Sequence, residues 1–209
     1  MLTEIYRLFP RQIAKGKISD ELLKTLHRKA DKAFTKKQPD DASSRLAGRL
    51  EKQVWFPLTD PIAKDLSGIF AHSCWQWIQE AKNQWDNNTK AIWSKPFGVN
   101  VYEIWFNKQI PGDFNPVHIH GGDFSGVLYL DIPESIDDGD GVKGMLGIHG
   151  PECYNPRVFQ MGMIQYFKPK AGEYYVFPAW QPHSVMPFDG PGERWSMAFN
   201  AEIVLEGNL

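Results

Sequence analysis

Cysteine is scarce in this chain: Cys74 and Cys153 are the only two among 209 residues. Two thiols cannot build a disulfide framework, and they share no metal-type spacing, so a reducing, cytoplasmic setting is expected. Charge of one sign is equally lacking. Lys and Arg number 23 against 25 Asp and Glu, for a net charge of −2. No segment is polybasic, which argues against a nucleic-acid face or a membrane-surface stretch. No apolar run approaches the ~18 residues that cross a bilayer. The N-terminal run M-L-T-E-I-Y-R-L-F-P is interrupted by Glu4 and Arg7, so no signal peptide is expected. Internal repeats are absent, and the one low-complexity piece is the acidic-glycine run Asp137–Gly141.

What the chain does have is apolar and aromatic material. Hydrophobic residues make up 42%, with 8 Trp and 13 Phe, enough for one core over residues 1–209. Residues 1–92 read as an N-terminal strand with helices flanking a sheet. A short edge strand is expected over Leu2–Phe9, ending at Pro10. Ser19 followed by Asp20 and Glu21 reads as a helix start, and Leu22, Leu26, Ala30 and Phe34 carry the helix to about Lys36. Gln38–Arg49 is polar and reads as a loop. Thr59-Asp60-Pro61 opens a second helix, with Leu66, Ile69, Phe70, Trp77 and Ile78 on its apolar stripe. Residues 93–205 then turn to short β runs separated by Gly/Pro turns. That pattern predicts a mainly β fold, a double-sheet jelly roll with the helices as an outer layer.

The densest chemistry lies in F-N-P-V-H-I-H-G-G-D-F-S-G-V-L-Y-L, residues 114–130. In a strand, His118 and His120 share one face, because side chains alternate with period two. His183 follows 63 residues later, and Arg194 lies 11 residues beyond it. Three imidazoles suit a divalent first-row metal without selecting which one. Affinity for such a metal is expected to drop below about pH 6, where ordinary imidazoles protonate. An arginine on a following strand can grip a carboxylate through two parallel hydrogen bonds. Ser196, two residues on, faces the same way. His149 has no evident partner and reads as a loop residue.

These residues resemble the 2-oxoglutarate- and Fe(II)-dependent oxygenase superfamily. The resemblance rests on His118-Ile119-His120, Ser125-Gly126-Val127-Leu128-Tyr129-Leu130, Phe177-Pro178-Ala179-Trp180, His183-Ser184-Val185 and Arg194-Trp195-Ser196. It spans roughly Trp93 to Ile203 and implies a double-stranded β-helix of jelly-roll, cupin-like form. It also implies Fe(II) on His118, His120 and His183, and 2-oxoglutarate held by Arg194 with help from Ser196 and Tyr129. The implied reaction consumes O2, releases succinate and CO2, and hydroxylates a C–H bond of a small-molecule or protein substrate. One departure stands out, because His120 occupies the place of the superfamily's usual aspartate. Three histidines, two histidines with water, or Asp123 as a carboxylate ligand are the alternatives.

Cupins offer a competing resemblance. Gly112 stands six residues before His118-Ile119-His120, and Gly172, Pro178 and His183 follow the second cupin pattern. The glutamate and the late asparagine of that pattern are missing. A cupin-type isomerase or dioxygenase, or a metal- or ligand-binding β-module without turnover, are the other classes. Arg194-Trp195-Ser196 separates them, since a cupin has no particular use for it. The acidic turn Asp137–Asp140 and the segment Glu152–Met163, between the metal-bearing strands, form a candidate lid.

Overall fold

The structure is a computed structural model that describes residues 12–83, 85–92, 96–137, 141–150 and 164–205. Two antiparallel sheets face each other. Five strands and two helices build one side: β1 (Ala14–Lys17), α1 (Asp20–Thr35), β2 (Lys52–Trp55), α2 (Pro61–Lys82), and, after the short α3 (Asn87–Ile92), β3 (Phe97–Gln109), β5 (Phe124–Asp131) and β8 (Glu173–Pro178). With β10 (Arg194–Leu205) they form a six-stranded sheet in the order β1-β8-β5-β10-β3-β2. The second sheet, β4-β9-β6-β7, contains β4 (Asn115–His118), β6 (Leu146–His149), β7 (Ile164–Phe167) and β9 (His183–Val185). A fourth short helix, α4, covers Glu134–Asp137.

Both long helices start where the sequence places them. The Ser19 hydroxyl accepts the Leu22 N–H at 3.2 Å, and the Asp60 carboxylate accepts that of Ile62 at 3.0 Å with Pro61 at the first helical position. Lys29, midway along α1, reaches Asp60 at 2.6 Å and ties α1 to the start of α2. The buried stripe of α1 is Leu26, Ala30 and Phe34, and that of α2 includes Leu66, Phe70, Cys74 and Ile78. These stripes pack on Leu128, Val176, Met197 and Phe199 of the large sheet to form the main core. Phe70 stacks on Phe199 with centroids 4.1 Å apart.

Two strands escape the sequence reading. Ala14–Lys17 and Lys52–Trp55 are short and carry lysines, and both sit at edges of the large sheet. Their alternation is too brief to register as a β signal. The Gln38–Arg49 stretch is a loop with a single 3-10 turn at Ser43–Arg45. The expected strand over Leu2–Phe9, the candidate lid segments 138–140 and Glu152–Met163, and Cys153 lie outside the described residues. Among the described residues, no helix is long and apolar enough to cross a membrane.

Candidate active site

Period-two alternation along the large sheet separates fold from site. On β10, Trp195, Met197, Phe199 and Ala201 face the helices, whereas Arg194, Ser196, Ala198 and Asn200 face a cleft between the sheets. Their Cα partners on β3 are Gln109, Asn107, Trp105 and Glu103, in that order. The cleft therefore has a ladder-like floor of paired side chains. A β-bulge opposite Asn200 and Ala201 skips Tyr102, so that Tyr102 and Glu103, though consecutive, both line the cleft. The cavity measures about 350 Å³, within the range of small-ligand sites.

The second sheet supplies the histidines. His118 ends β4 and His183 begins β9, and the two are Cα partners. His120 lies just past the strand, so strand alternation alone does not aim it. The His120 N–H donates to the Ala179 carbonyl at 3.0 Å and holds the chain in line. One ligand nitrogen from each of the three residues falls within a span of 4.8 Å. His118 and His183 keep Nδ1 2.7 and 2.9 Å from the backbone oxygens of Pro116 and Gln181. A carbonyl only accepts, so each Nδ1 carries the proton and each Nε2 keeps its lone pair. Nε2 of His120 stands 3.2 Å from Nε2 of His183.

Burial disfavours positive charge on all three rings. It holds His118 below the ordinary imidazole value. It brings His120 down to about 4, aided by the neighbouring His118, and His183 to about 3 for the same two reasons. The trio is a set of neutral nitrogen donors at neutral pH. Asp123 stands apart: it is exposed, and its carboxylate accepts the Ile203 N–H at 2.7 Å. That bond steadies the end of β10 and turns the side chain away from the trio. His149 is not a loop residue without a partner. It closes β6, and its Nε2 meets the Ser184 hydroxyl at 2.8 Å beside His183.

At the other end of the cleft Arg194 is only 2% exposed. Glu193 turns away to Lys108, 2.6 Å from its carboxylate, so no Glu193–Arg194 pair forms. Arg194 Nη1 donates to the Gly144 carbonyl at 2.6 Å, while Nε has no partner. Its guanidinium carbon lies 5.4 Å from the centre of the Tyr129 ring. The Tyr129 hydroxyl is buried without a partner, and burial pushes it up to about 12, so it stays protonated. Gln109 Nε2, on the strand partner of Arg194, is also buried and unpaired. Ser196 is buried on the same face. Gln109, Trp105 and Asn200 were not singled out from sequence. Glutamine and asparagine carry no motif there, and only the strand register discloses where they face.

Comparison with known proteins shows what this chain is similar to. Residues 103–200 match the family described as "Putative 2OG-Fe(II) oxygenase". No curated protein matches the sequence. Among solved structures, a Pseudomonas putida prolyl-4-hydroxylase is similar with a TM-score of 0.56 at 18% identity, covering 94% of each chain. A Trichoplax adhaerens prolyl hydroxylase, in complex with a hypoxia inducible factor peptide fragment, gives 0.59 at 12% identity over 94% of this chain and 84% of that one. HygX from Streptomyces hygroscopicus, with nickel and 2-oxoglutarate bound, gives 0.51 at 9% identity over 94% and 84%. The shared fold is the double-stranded β-helix, as expected from the sequence.

Proposed function

We propose that this protein is a 2-oxoglutarate/Fe(II)-dependent oxygenase that hydroxylates a C–H bond; the match of residues 103–200 to the family described as "Putative 2OG-Fe(II) oxygenase" and the fold shared with a prolyl-4-hydroxylase support the reading. The observation that carries the reading is the buried Arg194. A guanidinium in a closed cleft costs several kcal/mol of solvation unless an anion meets it. Among the described residues no carboxylate pairs with it and its Nε has no partner; the Tyr129 ring lies 5.4 Å from its guanidinium carbon and Gln109 is its Cα partner, and the Tyr129 hydroxyl and the Gln109 amide nitrogen are likewise unpaired. Donors without acceptors at one end of the cavity suit the distal carboxylate of 2-oxoglutarate.

The histidine trio fits Fe(II) on its own chemistry. His118 and His183 have tautomers fixed by backbone carbonyls, as metal-bound imidazoles commonly do. His120 adds its Nε2 to the same point. In this reading His118, His120 and His183 hold the metal, with no carboxylate among its protein ligands. Bound Fe(II) with 2-oxoglutarate supplies the oxidising power of the family, spending O2 and releasing succinate and CO2. The chain's own part is to anchor the cosubstrate at Arg194, exclude water with Phe177 and Trp105, and steer a C–H bond to the trio. Phe177 packs 4.6 Å from the His183 ring and Trp105 6.0 Å from that of His120.

Anaerobic titration of the Fe(II) protein with 2-oxoglutarate tests the proposal through the visible absorption that chelation to Fe(II) produces. Wild type should develop the band at micromolar to sub-millimolar cosubstrate. Arg194→Met should raise the concentration needed by at least about tenfold, because a charge-assisted hydrogen bond is worth roughly 1.5–3 kcal/mol. A wild-type protein with neither band nor calorimetric binding at millimolar cosubstrate would return the assignment to the cupin class.

A further inference from the structure

The end of the cleft away from Arg194 has the opposite hydrogen-bonding sense. Asn200 and Glu103 are Cα partners across β10 and β3, and Asn200 Nδ2 donates to Glu103 Oε1 at 2.8 Å. A carboxylate accepts only, so this bond fixes which way the Asn200 amide points. The free end is Oδ1, an acceptor that is buried and has no partner. At roughly 3.3 Å per strand residue, Asn200 lies roughly 20 Å along β10 from Arg194. Between the two ends, Trp105 sits near His120 at 6.0 Å and against Trp55 at 5.8 Å. Unmet donors thus mark the Arg194 end of the cavity and an unmet acceptor the Asn200 end, while a second buried acceptor without a partner, Asn115 Oδ1, lies by the trio, its Nδ2 3.2 Å from His118 Nε2.

Resting on the oxygenase reading, we infer that the prime substrate carries an uncharged or cationic N–H group, an amine, guanidine or carboxamide, which it places on Asn200 Oδ1. Its carbon stem then lies on Trp105 and passes the histidine trio. A carboxylate or phosphate in this position would set acceptor against acceptor beside Glu103, and such mismatches exclude ligands as strongly as contacts select them. A purely apolar group would leave Oδ1 buried and unpaired, the loss by which polar pockets discriminate best. The two indoles favour a flat or cationic N–H group over an aliphatic one.

The test uses holoprotein reconstituted anaerobically with Fe(II) and 2-oxoglutarate. It is titrated calorimetrically with capped tripeptides Ac-Gly-X-Gly-amide, where X is lysine, arginine, glutamine, norleucine or glutamate, and with the same free amino acids. At least one of lysine, arginine or glutamine should bind about tenfold or more tighter than norleucine and glutamate. Asn200→Leu should erase that preference. If this variant no longer develops the cosubstrate absorption, Glu103→Gln replaces it, since it lets the Asn200 amide turn and must shrink the preference. Tighter binding of the free amino acid identifies a small metabolite, and of the peptide a protein side chain. Equal or better binding of norleucine or glutamate overturns the inference, as does a preference that survives both substitutions. Absence of binding by every probe, with the absorption present, rejects the inference and spares the oxygenase reading. Absence of the absorption in wild type rejects both.

Discussion

Nε2 of His120 and Nε2 of His183 face each other at 3.2 Å, one from just past β4 and one from the start of β9. With Nδ1 of His183 protonated toward Gln181, its Nε2 accepts, so the proton between the two rings belongs to His120. A metal held here would take the Nε2 lone pairs of both rings, with the His120 proton shifted to its Nδ1.

Acidification should reveal how dry this site is. The folded values of about 4 for His120 and about 3 for His183 lie below the ordinary 6.5. The unfolded chain therefore takes up protons first as pH falls. Stability of the metal-free protein should be full above about pH 6.5 and decline steadily toward pH 4. Bound Fe(II) should stay in place from roughly pH 8 to 5, because protons compete only near the folded values. This lowers the threshold of about pH 6 expected from ordinary imidazoles. Metal content after anaerobic dialysis at graded pH measures it, and release centred near 6.5 would contradict the burial argument.

Replacing His120 and Asp123 should have unlike consequences. His120→Ala is expected to weaken iron binding severely, and His183→Ala to abolish it. Asp123→Ala should leave iron bound and cost about 1 kcal/mol of stability, the usual worth of one hydrogen bond, here to Ile203. Iron titration with urea denaturation separates the two. Normal iron binding by His120→Ala together with failure of Asp123→Ala would put the carboxylate in the metal's coordination.

Gln109→Leu should raise the dissociation constant of 2-oxoglutarate about three- to tenfold, less than Arg194→Met, and leave iron content unchanged. The reason is that Gln109 Nε2 is a neutral donor beside the charged one. An unchanged constant would remove Gln109 from cosubstrate binding.

Gly126→Ala should destabilise the fold by about 1–3 kcal/mol, the usual cost of overpacking. A methyl group at Gly126 would come 2.5 Å from the Tyr175 carbonyl oxygen and run into the Phe199 ring. Backbone cannot yield there, because β5 pairs with β8 through these residues. Urea unfolding would report a lower midpoint with the slope unchanged.

The helices were legible because their signals are local: Ser19 and Asp60 cap within three residues, and the apolar stripes repeat every three or four. The histidine trio was legible through chain order and resemblance, although His120 reaches it from beyond its strand. Arg194 was legible as a cation but not as a solitary one. Its isolation depends on Glu193 choosing Lys108, a contact between β3 and the start of β10. Gln109, Trp105 and Asn200 were invisible because cleft-facing direction is a property of sheet register, which no single strand states. The bulge that skips Tyr102 adds a shift that strict alternation would get wrong.

β10 carries the arginine, serine and asparagine of the cleft on one face and the tryptophan, methionine and phenylalanine of the core on the other. Inserting or deleting one residue in its middle would exchange those faces over part of the strand. Core and chemistry would fail together, so no sequence drift by a single residue is survivable there. Change of specificity in descendants of this chain is thus confined to substitution in place. Novelty by insertion has to come from the loops that join the strands, where a residue can be added without inverting either face.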